Sequence, residues 1–197
     1  MPTHHLIIFV KNPIPGTVKT RIARTVGHER ATQVYRHLIQ HTQQITRYAP
    51  YARTVYYADF VNPNDGWNGF DKALQVGHDL GERMAHAFRQ QLARGAEKVV
   101  IIGSDCLAIT GDHLTQAFGA LDQTDVVLGP ATDGGYYLLG MKRFHENLFV
   151  DMPWSQPTLL SRTTQWLEQT NVPYSLLPML ADIDEWDDYE QALRQTN

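Results

Sequence analysis

Three cations gather near the start of the chain. The segment Lys11-Asn12-Pro13-Ile14-Pro15-Gly16-Thr17-Val18-Lys19-Thr20-Arg21 carries Lys11, Lys19 and Arg21, and two prolines with Gly16 fix the path between them. Backbone N–H groups in such a loop, joined by Lys and Arg, suit a diphosphate or a triphosphate. Two familiar phosphate loops do not fit. A Walker A loop needs glycine where Pro13 and Val18 stand. A dinucleotide-binding loop needs three glycines, and only Gly16 is present. The bland alternative is a proline-rich turn with solvated cations.

Carboxylates supply the complementary chemistry. Gly103-Ser104-Asp105-Cys106 follows the apolar run 98–102. There Asp105 can hold Mg²⁺ or Mn²⁺ against phosphate oxygens, or merely close an Asx turn. Gly103 lets a ligand approach the backbone closely. Five acids crowd Asp182-Ile183-Asp184-Glu185-Trp186-Asp187-Asp188. In an extended segment Asp182 and Asp184 point the same way, and one of them can complete a metal site with Asp105. Asp187 and Asp188 suit the N-terminus of a last helix. In Gly129-Pro130-Ala131-Thr132-Asp133-Gly134-Gly135-Tyr136-Tyr137, the Asp-Gly-Gly turn reads as a hairpin. It also reads as a ligand site, with Asp133 meeting a hydroxyl, base or metal above Gly134 and Gly135. Cys106 is expected to pack rather than react. His37 and His41 share a helix face but lack the Glu of H-E-x-x-H, so surface positions are expected.

These loops need a frame. Leu6–Val10 and 98–102 are continuous apolar runs, as in strands buried on both faces. Further strands are expected at 54–58, 125–128, 136–139 and 174–177. Helical spacing marks 29–48 and 80–92, the latter stopped by Gly95. Thr110 caps a helix to Leu121, Ser155 with Pro157 opens one to about Thr170, and 186–195 forms the last. Residues 59–79 read as one long loop. Strands alternating with helices predict an α/β domain over 1–197 with a mostly parallel sheet. Ligands in such sheets bind beyond the carboxyl ends of the strands, where the motifs lie.

Composition narrows the partners. Among 197 residues, 17 basic and 21 acidic side chains give a net charge of −4. That balance argues against a nucleic-acid polymer and leaves a small phosphorylated ligand open. One cysteine permits no intrachain disulfide, which fits a reducing cytoplasm. The apolar start is too short for a signal peptide or a membrane span. A cytoplasmic protein is expected.

Together the motifs resemble a known family. They are Phe9-x-Lys11-x-Pro13-x-x-Gly16-x-Val18-Lys19-Thr20-Arg21, Leu80-Gly81-Glu82-Arg83-Met84, Gly103-Ser104-Asp105-Cys106, Gly129-Pro130-Ala131-x-Asp133-Gly134-Gly135-Tyr136-Tyr137, Trp154-Ser155 and Asp182-Ile183-Asp184. The chain resembles bacterial GT-A-like proteins described as glycosyltransferases, some assigned to arsenosugar biosynthesis. It is also similar to the molybdenum-cofactor and phospholactate guanylyltransferases. The resemblance implies a nucleotide-diphospho-sugar transferase fold with helices on both faces of the sheet. It implies a nucleotide over the first loop and a divalent metal, Mg²⁺ or Mn²⁺, at Asp105 with Asp182 or Asp184. Lys19, Arg21 and Asp133 would then act in catalysis. Lys11, Gly16, Thr20, Gly81, Arg83, Gly103, Ser104, Gly134, Gly135 and Tyr136 would bind substrate. The reaction implied is glycosyl transfer from a nucleotide sugar to a small-molecule acceptor, or alternatively nucleotidyl transfer from a triphosphate. Two positions depart from the family pattern: Leu107 replaces the usual Pro, and Glu185 an often-seen Thr.

Overall fold

A run of consecutive apolar residues is stable as a strand only if both faces are covered, and the computed structural model, which describes residues 3–196, shows that cover. The strands are β1 (His4–Val10), β2 (Ala52–Tyr57), β3 (Asp71–Leu74), β4 (Lys98–Ile102), β5 (Val126–Pro130), β6 (Tyr136–Met141) and β7 (Tyr174–Leu176). They form one sheet in the order β3-β2-β1-β4-β6-β5-β7. β6 runs antiparallel to β4 and β5, and the other neighbouring pairs are parallel.

Side-chain alternation divides the core. Leu6, Ile8 and Val10 face α1 (Thr20–Val26), α2 (His28–Thr46), α4 (Gly111–Gln123) and α6 (Trp186–Thr196). Ile7 and Phe9 face the other way, toward α3 (Leu80–Ala93) and α5 (Leu159–Gln169). The α/β class, the mostly parallel sheet and the helices around it are therefore as the sequence implied. Local signals hold too. Gly95 takes φ 93° just beyond α3, and the Thr110 N–H donates to His113 Nδ1 at the start of α4. Asp188 Oδ2 accepts from the N–H groups of Asp184 and Glu185, satisfying free donors ahead of α6.

Three readings need correction. Residues 59–79 are not one loop, because β3 lies within them as a half-exposed edge strand. Trp67, only 2% exposed, anchors the same stretch to the core. α1 begins at Thr20, inside what reads as phosphate loop. α5 begins at Leu159 rather than at Ser155, which instead holds a left-handed backbone. Among the described residues no helix is long and apolar enough to cross a membrane.

Candidate functional site

The carboxyl ends of β1 and β4 lie side by side, so their loops meet. Tyr35 of α2 joins them: its hydroxyl accepts from the Lys11 N–H at 2.9 Å and lies 3.0 Å from Ser104 Oγ. Burial and the Asp105 charge push its phenol pKa up, so it stays protonated. Buried Asn12 fixes the next position by donating to Asp59 Oδ1 and the Phe60 carbonyl. Gly16 then turns with φ 85° in open space.

Lys19 is the centre of the arrangement. It precedes α1 with φ 47°, a left-handed conformation that costs a non-glycine residue energy. That turn sends its side chain inward, where it is 8% exposed. The ammonium meets Asp105 Oδ1 at 2.6 Å and donates to the Ile183 carbonyl at 2.6 Å. The Ile183 N–H in turn donates to the Asp105 carbonyl at 2.9 Å. The Leu180 N–H donates to the Pro130 carbonyl and the Leu180 carbonyl accepts from the Thr132 N–H, so residues 180–183 bridge the β4 loop to the hairpin.

That bridge places the second acid. Burial, with the charges of Asp105, Asp133 and Asp184, pushes the Asp182 carboxyl up to about 7, and Lys19 opposes the shift. Asp184 is held differently, by Arg21 Nη1 at 3.1 Å near the surface. Among the described residues no three His, Cys, Asp or Glu side chains gather tightly enough to enclose a metal. Two carboxylates in a negative field nevertheless fit a Mg²⁺-like cation, which commonly takes one or two protein carboxylates and completes its shell with phosphates and water. Asp105 and Asp182 are the pair that would hold it.

A cavity of about 650 Å³ opens over this cluster. Lys11, Lys19, Thr20, Arg21, Arg83, Gly103, Ser104, Asp105, Tyr136, Asp182 and Asp184 line it. Asp133, expected at the site from its sequence, is exposed and is not among the lining residues, and its Oδ1 accepts from the Gly135 N–H in a tight turn. Gly134 takes φ 88° with its backbone pressed on Pro157, so a side chain has no room there. Gly81 is buried in the first turn of α3, where a Cβ would overlap the Trp154 indole.

Cys106 is buried, donates toward the Ala181 carbonyl, and has its thiol pushed up to about 12 by burial and by Asp182. It is not poised as a nucleophile. The two helix-face histidines are half-buried struts rather than surface groups, a correction to the sequence reading. His37 Nδ1 lies 2.9 Å from Tyr189 Oη and His41 Nε2 lies 2.8 Å from the Ile109 carbonyl. Sequence reasoning gave no site role to Tyr35 or Asn12, and none to Trp154 although Trp154-Ser155 is among the motifs of the resemblance. The first reads as one more position of an apolar helix stripe, and Asn12 reads as loop. A polar residue wedged between Lys11 and Pro13 was the one available signal.

The comparisons with known proteins agree with this architecture. A structure from Desulfovibrio desulfuricans G20, provisionally described as a nucleotide-diphospho-sugar transferase, matches with a TM-score of 0.91 at 32% identity, over 100% of this chain and 88% of that one. CMP:2-keto-3-deoxy-manno-octonic acid synthetase complexed with CTP matches with a TM-score of 0.59 at 12% identity, over 98% of each chain. Rv0371c of Mycobacterium tuberculosis H37Rv, solved with manganese, matches with a TM-score of 0.58 at 16% identity, over 98% of this chain and 99% of that one. The last two likenesses concern the fold alone. No curated protein matches the chain. A family model matches residues 22–156, more than half of the chain, and with it the chain belongs to the family described as "Uncharacterized protein conserved in bacteria (DUF2064)".

Proposed function

We propose that this protein is a transferase that moves a sugar from a nucleoside-diphosphate sugar to a small-molecule acceptor. The observation that carries the reading is the pairing of Lys19 with Asp105, next to Asp182, on the floor of a cavity flanked by Lys11 and Arg21. The cavity volume is that of a small-molecule site. Lys11 and Arg21 would grip the diphosphate, and the first-loop backbone would orient it. Asp105 and Asp182 would hold Mg²⁺ or Mn²⁺, which supplies charge neutralisation as the diphosphate leaves. Lys19 offsets part of the negative charge at this pair through its contact with Asp105. Asp133, outside the lining but close enough for its charge to reach Asp182, would meet the donor sugar or the acceptor. Ser104 and Gly103 shape the approach of the ligand to β4.

Support comes from the Desulfovibrio relative, whose description names the same substrate class. A second reading is nucleotidyl transfer, with pyrophosphate leaving, as for the guanylyltransferases the sequence resembles. It is favoured by the fold shared with a CTP-bound synthetase. A thermal-shift panel of nucleoside-diphosphate sugars and nucleoside triphosphates, with and without Mn²⁺, separates the two. A ligand at a hundred times its Kd adds about 2.7 kcal/mol, a rise of roughly 5–11 °C for a chain of this size. A Mn²⁺-dependent rise with one diphospho-sugar, lost in Asp105→Ala, supports glycosyl transfer. A rise with a triphosphate alone, and pyrophosphate release with an acceptor, selects the second reading. No rise with any nucleotide refutes both.

A further inference from the structure

The Trp154-Ser155 motif has no part in the diphosphate chemistry, yet the fold invests in it. Trp154 lines the cavity. Ser155 after it holds φ 61° and Asp151 before it φ 54°, both strained for non-glycine residues. The Trp154 N–H closes a tight turn onto the Met152 carbonyl at 2.8 Å. On the facing helix, Gly81 leaves room that any side chain would take from the indole. Tyr136 stands edge-on to Trp154, with centroids 6.4 Å apart at 84°.

The cavity is thereby two-sided. The cations and carboxylates come from the loops bordering the α1 and α2 face of the sheet. The α3 and α5 face contributes Phe9, Leu80, Met84, Tyr136, Trp154 and Leu159. Gln75, His78 and Asp79 line the cavity near Arg83, so polar partners lie at the start of α3, and the surface of Phe9, Met84, Trp154 and Leu159 itself offers none to a polyol. A flat apolar ring would gain contact with the indole and cover the exposed side of Leu80. Arg83 is the cation on this wall, one turn along α3 between Leu80 and Met84. Its Nε donates to the Gly77 carbonyl, which leaves the terminal nitrogens for a ligand. No ion pair of the described residues includes it.

We propose that the acceptor carries a flat, largely apolar body with one carboxylate, seated on the Trp154 wall with the carboxylate on Arg83. This rests on the transferase reading above. Saturation-transfer NMR tests it with three probes on the full chain: 4-hydroxybenzoate, 4-hydroxybenzyl alcohol and methyl α-glucoside. The carboxylated ring should bind best. Arg83→Gln should weaken it about tenfold and leave the benzyl alcohol unchanged. Trp154→Leu should weaken both aromatic probes, and Trp154→Phe, which keeps a ring, should retain them. Equal binding of the glucoside, or no preference for the carboxylate, overturns the proposal. All three variants should keep the wild-type thermal shift with nucleotide and Mn²⁺. If Trp154→Leu stays folded but loses that shift while Trp154→Phe keeps it, the wall holds the nucleobase, and the acceptor assignment falls while the transferase reading stands. Absence of any nucleotide shift in the wild type fails the transferase reading, whatever the aromatic probes do.

Discussion

Asp182→Asn should make the metal-free protein more stable and unable to gain from a divalent cation. The Asp182 carboxyl stands at about 7 instead of its ordinary 3.8, because it is taken from water and faces three other carboxylates. At about 1.36 kcal/mol per unit, the ceiling is roughly 4 kcal/mol of destabilisation when the group is ionised. Asp182 keeps partial contact with solvent, which screens much of this, so about 1–2 kcal/mol is expected. The sign follows from proton counts. The unfolded carboxyl loses its proton near pH 4, whereas the folded one keeps it to about 7. Between those values the folded state binds more protons, so stability falls as pH rises, and the loss is constant above. Thermal melts of both proteins from pH 4 to 8.5 measure this. Asp182→Asn should equal the wild type near pH 4 and melt roughly 2–8 °C higher by pH 8. Mn²⁺ should then raise the wild type at pH 8 and not the variant. A variant that melts lower than the wild type at pH 8, or a difference independent of pH, would refute the reasoning.

Lys19→Met leaves Asp105 and Asp182 uncompensated. Because Asp105 is half-exposed, the expected loss relative to the wild type is about 1–2 kcal/mol, larger at pH 8 than at pH 5.5, and an equal loss at both pH values would contradict it. Arg21→Ala removes a pair exposed on both sides, so stability should change by under about 1 kcal/mol, while nucleotide affinity in calorimetry falls roughly tenfold and unchanged affinity would remove Arg21 from the phosphate site. Gly81→Ala gains helix propensity of about 1 kcal/mol but overlaps Trp154, so a net loss of roughly 1–2 kcal/mol is expected in urea melts, and undiminished stability would show that the indole moves freely. His5, lowered to about 4 by burial, stays neutral in the fold while the unfolded imidazole protonates near 6.5. Stability should therefore fall as pH drops through that window, and His5→Gln, able to keep a bond to Thr54, should flatten the acid limb of the melting profile.

The sheet was legible because burial on both faces writes itself as unbroken apolar runs, as in Leu6–Val10. The helices that cover it show their apolar stripes just as plainly. β3 was not legible because it is a four-residue edge strand that sets little more than Ala73 against the core, so Asp71-Lys72-Ala73-Leu74 shows no apolar run or alternation. α1 was hidden for a different reason. Its seven residues are too few for periodicity to register, and its start depends on the left-handed turn at Lys19, which no residue type announces. At the site, the charged residues were legible by type and their grouping by the rule that strand ends share one edge. Their pairing was not. That Asp182 stands with Asp105 while Asp184 goes to Arg21 follows from residues 180–183 being stitched between two loops, a long-range backbone contact that sequence spacing does not encode.

The pairing redistributes the work of the three cations. An ammonium with 8% exposure and two fixed acceptors is poorly placed to grip an incoming phosphate. It is well placed to offset the charge of Asp105 and to oppose the upward shift of Asp182, whose carboxyl must lose its proton before it can serve a divalent cation. Arg21 is the reverse case. Its side chain is 63% exposed, and its single acidic partner is also near the surface, so exchanging that partner for a phosphate costs little. Lys11 is exposed, with its backbone N–H already fixed by Tyr35, so its ammonium is free to follow the ligand. The loop therefore works as two layers. Lys19 holds the inner layer in charge balance before any ligand arrives, and Lys11 and Arg21 form the outer layer that meets it. An inner layer of this kind explains why the fold tolerates a strained backbone at Lys19: the turn is what carries the ammonium past the rim and down to Asp105.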